Sequence, residues 1–297
     1  MTIFVFKLTN NFLYDNICLN LYTFYSLFNK ECGVYMVDGI IDLHVHSKCS
    51  DGFDDVKKII ETAKRTNVKY LSLTEHYNIS SYKLACELAG DDIEIIKGIE
   101  LGTDMSIYND ENKHICHILA YYISNDIYKL LDLYEVNRYN CALETIRLLN
   151  KNNICITIED VIDYSREKES IGRYDVAIAL KKLGYVKSIN EAYSNYLNYG
   201  EMGYVKRSKL DPFELIRKIL EYGGVPVLAH PRSLRMKSEE EVKFIKKLVD
   251  EGLSGIEVYN PNNGKERRNR YLKLCKEYCL VPTVGSDYHR WKKKTNY

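Results

Sequence analysis

The chain has 297 residues, a formal net charge of +1 and 28% charged residues. That length suits one large α/β domain, or a domain with an insertion, and allows a sizeable core. The balanced charge excludes a globally basic surface for polyanions, and no stretch reaches the ~20 apolar residues of a membrane span.

Nine cysteines, at positions 18, 32, 49, 86, 116, 141, 155, 275 and 279, show no framework spacing. An odd, scattered set reads as reduced thiols, which places the protein in the cytoplasm. Cys275 and Cys279 lie four apart on an expected helix, but no second pair follows them to complete a zinc site.

From the N-terminus, residues 1–35 are rich in Phe, Tyr, Leu and Asn. Lys7 is the only basic residue before Lys30, and Asn10, Asn11, Asp15 and Asn16 interrupt the apolar positions. This is not the basic start, apolar run and small-residue cleavage site of a secretory signal. Met36 opens MVDGIIDLHVH, a clean domain start, so residues 1–35 are expected to lie outside the fold, with the domain over 36–297.

Seven short apolar runs then have the length of buried strands: 39–45, 68–74, 93–99, 115–122, 225–229, 255–259 and 281–285. Amphipathic stretches separate them. Val56, Ile59, Ile60 and Ala63 follow helical spacing, as do Phe213, Ile216, Ile219 and Leu220 after Asp211-Pro212, an N-cap with proline at the first helical position. Val242, Ile245 and Val249 repeat the pattern after Ser238, with Glu239, Glu240 and Glu241 where the helix dipole favours acids. Strand–helix alternation predicts a parallel sheet, and seven strands predict closure into a barrel. Residues 126–209 break the rhythm. They read as helices near 127–151, 159–165, 174–183 and 189–199, a helical insertion between the fourth and fifth strands.

Six of the seven histidines sit in short motifs of metal-ligand residue types: DLHVHSKCSDG (42–52), TEHYN (74–78), GIE (98–100), HILAY (117–121), AHP (229–231) and GSDYH (285–289). Nearly every motif falls at or just past the end of an expected strand, where parallel barrels build their active sites. On a strand, Asp42, His44 and His46 share one face. Two adjacent imidazoles make half a metal site, and Asp42 is placed to orient one of them. Gly52 permits a tight turn that returns Asp51 toward the pocket. His114, three residues before His117, faces the other way on the same run and is expected to have a surface or structural role.

The order HxH, SDG, T(D/E)H, GIE, HILxY, AHP, GSDxH resembles the PHP (polymerase and histidinol phosphatase) family of metal-dependent phosphoesterases over residues 38–290. The stretch 171–205, with Gly172-Arg173-Tyr174-Asp175-Val176-Ala177 where that branch usually shows GRPHIA, looks like the cap of stand-alone members acting on nucleoside 3′,5′-bisphosphates or, as 5′→3′ exonucleases, on short RNA. The resemblance implies a distorted seven-stranded (β/α) TIM-like barrel with a helical cap. It implies two or three divalent ions, Mn2+, Fe2+ or Zn2+. His44, His46, Glu100 and Asp287 would hold one; Glu100 would bridge to a second with His117 and His230; Asp51, His76 and His289 would hold a third. The chain departs from TDHD at Glu75 and Tyr77, from HILGY at Ala120, and from the cap histidine at Asp175. It also ends soon after His289, so a last closing helix is expected to be short or missing.

Such ions lower the pKa of bound water and neutralise phosphoryl oxygens. The expected reaction is phosphate ester hydrolysis by direct attack of metal-bound hydroxide without a covalent enzyme intermediate, with Glu100, Asp287 and His230 as catalytic residues. A second phosphate calls for arginine, whose guanidinium binds phosphate in a fork. Arg173 is the first candidate, with Arg207 and Arg232 behind it. The runs 265–270 (KERRNR) and 290–294 read as solvated faces. The expected partner is a phosphorylated nucleotide or short RNA, with no membrane and no stable protein partner. The alternatives are a small-metabolite phosphatase of the histidinol-phosphate type and a metal-binding module without catalysis.

Overall fold

A computed structural model describes residues 40–105, 115–165, 171–205 and 209–290. The expectations for residues 1–35, His114, Arg207 and positions 291–294 fall outside these ranges.

The described residues divide into two compact units. One comprises 40–105, 115–127 and 210–290, and the other 128–165, 171–205 and 209. The first unit opens with β1 (Ile40–Val45), α1 (Val56–Arg65), β2 (Val68–Leu73), α2 (Ser81–Ala89) and the two-residue β3 (Glu94–Ile95). These strands form a three-stranded parallel sheet in the order β1-β2-β3. Helix α1 buries Val56, Ile59, Ile60 and Ala63, the four positions set by its spacing, and Asp55 caps its start by accepting from Lys58 N.

The predicted third strand is in fact two. Ile96 N still donates to Leu71 O, in the first sheet, while Lys97 O accepts from Tyr122 N, in the second. The chain thus changes sheets within one peptide. It continues as β4 (Gly98–Gly102), followed by β5 (His117–Tyr121), β6 (Val225–Leu228), β7 (Gly255–Tyr259) and β8 (Val281–Val284). These five pair in the order β4-β5-β6-β7-β8.

Among the described residues the predicted closed barrel of seven parallel strands is therefore replaced by eight strands in two sheets that do not close. Pairs β4·β5 and β5·β6 are antiparallel, while β6·β7 and β7·β8 are parallel. A parallel pair needs a crossover, usually a helix. The segment 103–116, DMSIYNDENKH within it, has no apolar helical period to build one, so β5 returns beside β4 in the opposite direction. Isolated bridges Val45–Tyr288 and His76–Glu100 join the sheets without a continuous ladder.

The remaining helices of this unit form where the sequence predicts them, but with a shifted buried face: Leu215 is buried where Phe213 and Leu220 were expected, and Phe244 and Leu248 where Val242 and Val249 were expected, those four being half-buried. Helix α7 (Pro212–Glu221) has Asp211 accepting from Phe213 N and Glu214 N. In α8 (Ser238–Asp250), Phe244, Ile245 and Leu248 are buried. In α9 (Lys265–Tyr278), the basic run is not simply solvated: Arg267 and Arg270 donate to the fully buried Glu241 of α8, which also accepts from Tyr271 Oη.

The second unit contains most of α3 (Ile127–Lys151), then α4 (Ile158–Tyr164), α5 (Arg173–Lys182) and α6 (Ile189–Ala192), which runs into one π turn over Tyr193–Leu197. Its core is aliphatic, built on Leu149, Val161, Val176, Leu180 and Leu197.

Candidate metal centre

The local structure of each motif explains how its side chains converge. β1 delivers His44 and, just past its end, His46, both fully buried, with their Nε2 atoms 3.1 Å apart. Thr74 N bonds to Val45 O, which holds the segment after β2 against β1 and brings in His76. Glu100 sits in the middle of β4. Because β5 is antiparallel, its first residue, His117, lies beside Gly102 near the end of β4, and Ile118 pairs with Leu228 at the end of β6. The histidine thus reaches the common edge from a strand start, not the strand end that a parallel barrel would use.

Backbone strain gathers here. His230, after β6, has φ +23°, and Asp287, after β8, has φ +52°. Non-glycine residues hold such values only where neighbours over-determine them. For Asp287 the determinants are its N–H to His44 O and the flanking Tyr288 O, which accepts from His46 N. Asp42 serves this loop and not a histidine ring: its Oδ1 accepts from Ser286 N at 2.9 Å.

Three groups of side chains place their donor atoms within 4.8 Å of one another: His44, His46, Glu100 and Asp287; Glu100, His117 and His230; and His46, Asp51, His76 and His289. All nine residues singled out by sequence thus lie in this one edge region, with His46 in two of the groups. Its Nε2 is 3.2 Å from Glu100 Oε2, and its Nδ1 is 3.6 Å from Asp51 Oδ1.

Glu100 divides its carboxylate between groups. Oε1 lies 2.8 Å from His117 Nδ1 and 2.8 Å from His230 Nε2. Oε2 lies 3.2 Å from Nε2 of both His44 and His46, and 3.4 Å from His76 Nδ1. Asp51 approaches His289 Nε2 at 3.2 Å and His76 Nε2 at 3.6 Å.

Several rings have their tautomer set by an outer bond. Glu257 Oε1 faces His44 Nδ1 at 2.9 Å, Ser233 Oγ faces His230 Nδ1 at 2.9 Å, and the carbonyl of Asp287 faces His289 Nδ1 at 3.0 Å. Each leaves Nε2 as a lone-pair donor toward the cluster.

The electrostatics are those of a site designed for positive charge. Burial opposes protonation of His44, yet the Glu257 and Glu100 carboxylates outweigh it and hold the pKa well above the ordinary value. Burial likewise works against His46, but bonds to Asp287 and Glu100 carry it to about 9. Burial lowers His76 to about 4, with His46 and His117 adding to the effect against Glu100 and Asp51. Desolvation raises Asp51, but the His289 bond and the charges of His76, His289 and His46 bring it down to about 2. Glu100, fully buried, is held well below the carboxylate range by His44, His117 and His230. None of the three carboxylates has a Lys or Arg ion-pair partner among the described residues. A nitrogen and oxygen donor set without thiolates and without basic side chains fits hard or borderline divalent cations.

Two of the predicted phosphate-binding arginines lie among the described residues. Arg173 opens α5 and spends one Nη on Val205 O, with its guanidinium 4.8 Å from the Tyr204 ring centre. Arg232 donates to Asn262 O. Asp175, in the position of the family's cap histidine, is a helix-capping residue: it accepts from Gly172 N at 2.8 Å and Ser165 Oγ at 2.9 Å, and faces Arg138 at 3.4 Å.

Sequence reasoning missed Glu257 and undervalued Glu75. Glu257 is an acid inside the apolar run GIEVY, a pattern that signals a buried carboxylate in need of donors. Glu75, fully buried, accepts from Ser47 and Ser50.

Comparison with known proteins places these features in context. The family description PHP domain matches residues 42–278. A phosphoribosyl 1,2-cyclic phosphate 1,2-diphosphodiesterase of Eggerthella lenta is 28% identical over 256 residues, covering 84% of this chain and 94% of the relative. A 5′-3′ exoribonuclease of Haemophilus influenzae is 27% identical, with 84% and 89% covered. A 3′,5′-nucleoside bisphosphate phosphatase of Chromobacterium violaceum is 25% identical, with 84% and 87% covered. A solved structure described as an amidohydrolase from Chromobacterium violaceum, with bound sulfate and no metal, shares the fold at a TM-score of 0.67 and 24% identity, over 84% of this chain and 87% of that one.

Proposed function

Because the chain belongs to the PHP domain family, we propose that it is a metal-dependent phosphoesterase that hydrolyses phosphate from nucleoside 3′,5′-bisphosphates or short 5′-phosphorylated oligonucleotides. Relatives bearing the names of a bisphosphate phosphatase and an exoribonuclease support the substrate class.

The observation that carries the reading is the divided carboxylate of Glu100. One oxygen serves His117 and His230, and the other serves His44 and His46. That is the geometry of a bridging ligand. His44, His46, Glu100 and Asp287 would hold one divalent ion, Glu100, His117 and His230 a second, and Asp51, His76 and His289 a third. Such ions, Mn2+, Fe2+ or Zn2+, would supply Lewis acidity toward a phosphoryl group near neutral pH.

The chain's own residues do the rest. Glu100, buried among the rings, holds them at fixed separations. Ser233 and Glu257 keep the Nε2 atoms of His230 and His44 turned inward. Asp287 is the partly open carboxylate, 22% exposed beside fully buried rings, and with Glu100 and His230 it is assigned to face the reacting phosphate. Arg173 is assigned to a second phosphate, with Arg207 and Arg232 as further candidates. Among the described residues the buried Nε of Arg173 has no hydrogen-bond partner. The free cysteines favour the reducing cytoplasm.

A second reading, hydrolysis of a ribosyl 1,2-cyclic phosphate, draws support from the Eggerthella lenta relative, 94% of whose length is matched. One assay separates the readings. Manganese-loaded protein is tested on adenosine 3′,5′-bisphosphate, a short 5′-phosphorylated RNA, a ribosyl 1,2-cyclic phosphate and histidinol phosphate, beside a His230→Ala control. Turnover of either of the first two, abolished in the control, is the expected result. Turnover of the cyclic ester alone establishes the second reading, and turnover of histidinol phosphate alone overturns both.

A further inference from the structure

Two buried carboxylates that are not themselves in the ligand groups bond to the ligands or to the loop beside them: Glu257 to His44 and His230, and Glu75 to Ser47 and Ser50. Each reaches a different part of the cluster.

Glu257, 1% exposed in the middle of β7, lies between two histidines that belong to different groups. Its Oε1 accepts from His44 Nδ1 at 2.9 Å. Its Oε2 accepts from the backbone N–H of His230 at 2.6 Å and from Asn260 Nδ2 at 3.1 Å. The strained backbone at His230 is thus anchored by the same carboxylate that orients the His44 ring. Gly285 is what allows this approach: a Cβ there would lie 2.2 Å from Glu257 Oε1 and 2.4 Å from His44 Cβ.

Glu75, just past β2, supports the other side. It accepts from Ser47 N at 3.1 and 3.2 Å through its two oxygens, from Ser47 Oγ at 2.5 Å and from Ser50 Oγ at 2.5 Å. Ser47 in turn receives Cys49 N on its hydroxyl and Gly52 N on its carbonyl. Both ends of the loop that leads to Asp51 are therefore tied to one carboxylate. Asp51 itself is 53% exposed, so burial does not fix it, and the loop must. An aspartate at position 75 is one methylene shorter and cannot span the two serine hydroxyls from the same backbone position.

We propose that Glu257 and Glu75 are positioning residues that divide the cluster between them: Glu257 governs the ions at His44/His46/Glu100/Asp287 and at Glu100/His117/His230, and Glu75 governs the ion at His46/Asp51/His76/His289 through the loop that carries Asp51. This rests on the metal-cluster reading above. Outer-shell partners of metal ligands typically contribute 10–100-fold in affinity, so each substitution has a measurable and site-restricted effect.

The test uses the full chain equilibrated with Mn2+ at several free concentrations. Metal content is read by mass spectrometry, occupancy at each group by anomalous diffraction, and folding by circular dichroism. Glu257→Gln is isosteric but cannot accept from both the His44 and His230 donors. It is expected to weaken the two ions it governs by ~10–100-fold and leave the Asp51 ion unchanged. Glu75→Gln is expected to do the reverse, with Glu75→Asp intermediate. If either variant fails to fold, Gly285→Ala replaces the first and the double change Ser47→Ala, Ser50→Ala replaces the second, with the same expected patterns. Equal loss at all groups in both variants, or no loss in either, overturns the division while leaving the metal reading intact. Failure of the unmodified chain to take up metal overturns both.

Discussion

His44 and His46 bring their Nε2 atoms to 3.1 Å of each other in a fully buried setting. Two ring nitrogens at that distance need a proton or a cation between them and the carboxylates of Glu100 and Asp287. In the metal-free protein that role falls to protons. His46, held at about 9 against its usual 6.5, contributes stability that is fully present below pH 6.5 and is lost as pH rises through 9. Asp51, held at about 2 against 3.8, contributes stability present above 3.8 and lost as pH falls through 2. Chelator-treated protein is therefore expected to melt at a lower temperature at pH 9 than at pH 6.5, and Mn2+ is expected to remove most of that difference. Thermal melts at both pH values, with and without metal, check it; an equal drop in the two forms refutes it.

Glu100→Gln removes one charge and one acceptor from the carboxylate shared between groups. The expected loss of phosphoesterase activity exceeds the ~10–100-fold typical of removing an outer partner, with bound metal falling at the same time. Assay and metal analysis on one preparation decide the matter. Full activity with full metal content would rule out the bridging role.

Asp175 holds the N-terminus of α5. Its replacement by alanine strands Gly172 N and removes the partner of Ser165 and Arg138. The expected cost is ~1–2 kcal/mol in urea unfolding. Asp175→His, which restores the family's residue, is expected to destabilise as well, because imidazole cannot accept from Gly172 N and Ser165 Oγ in the same way. Unchanged unfolding midpoints in both would remove the capping assignment.

Glu241 is buried beneath two arginines and a tyrosine. Glu241→Ala leaves three donors without their acceptor and is expected to cost ~2–3 kcal/mol, at the low end for a broken buried pair because Arg267 and Arg270 keep contact with water. Glu241→Gln, which retains one acceptor, should cost less. Chemical denaturation of the two variants beside the parent measures the difference, and a Gln variant as unstable as the Ala variant would contradict it.

Cysteine reactivity follows burial. Burial pushes the thiols of Cys116 and Cys275 up to about 12, whereas Cys155 and Cys279 are exposed. A thiol reagent at pH 8 is expected to modify Cys155 and Cys279 within minutes and Cys116 and Cys275 only after unfolding. Peptide mapping of the labelled sites tests this.

Much of the architecture could be read in one dimension because the signals are local. The spacing of Val56, Ile59, Ile60 and Ala63 fixes a helix and its buried face, and Asp211-Pro212 marks a helix start by cap chemistry alone. The site was legible for the same reason: histidine and acidic residues cluster in motifs at the ends of apolar runs. What the sequence concealed depends on pairing. The run 93–99 reads as one strand because nothing local marks the peptide at which it leaves Leu71 for Tyr122. The direction of β5 could not be inferred from a parallel rhythm that held almost everywhere else.

By itself the sequence determined which nitrogen and oxygen donors the chain offers and where they fall, since donor identity and motif spacing are properties of the chain, and it pointed to family, element types and a candidate metal-ligand set. Only the tertiary structure decided how those side chains are shared. That Glu100 divides its oxygens between two sets of histidines, that His46 faces two groups through its two nitrogens, and that Glu257 ties His44 to His230 are relations between residues up to 213 positions apart. They arise because the strands carrying them meet at one edge, where burial leaves each polar atom a single set of partners.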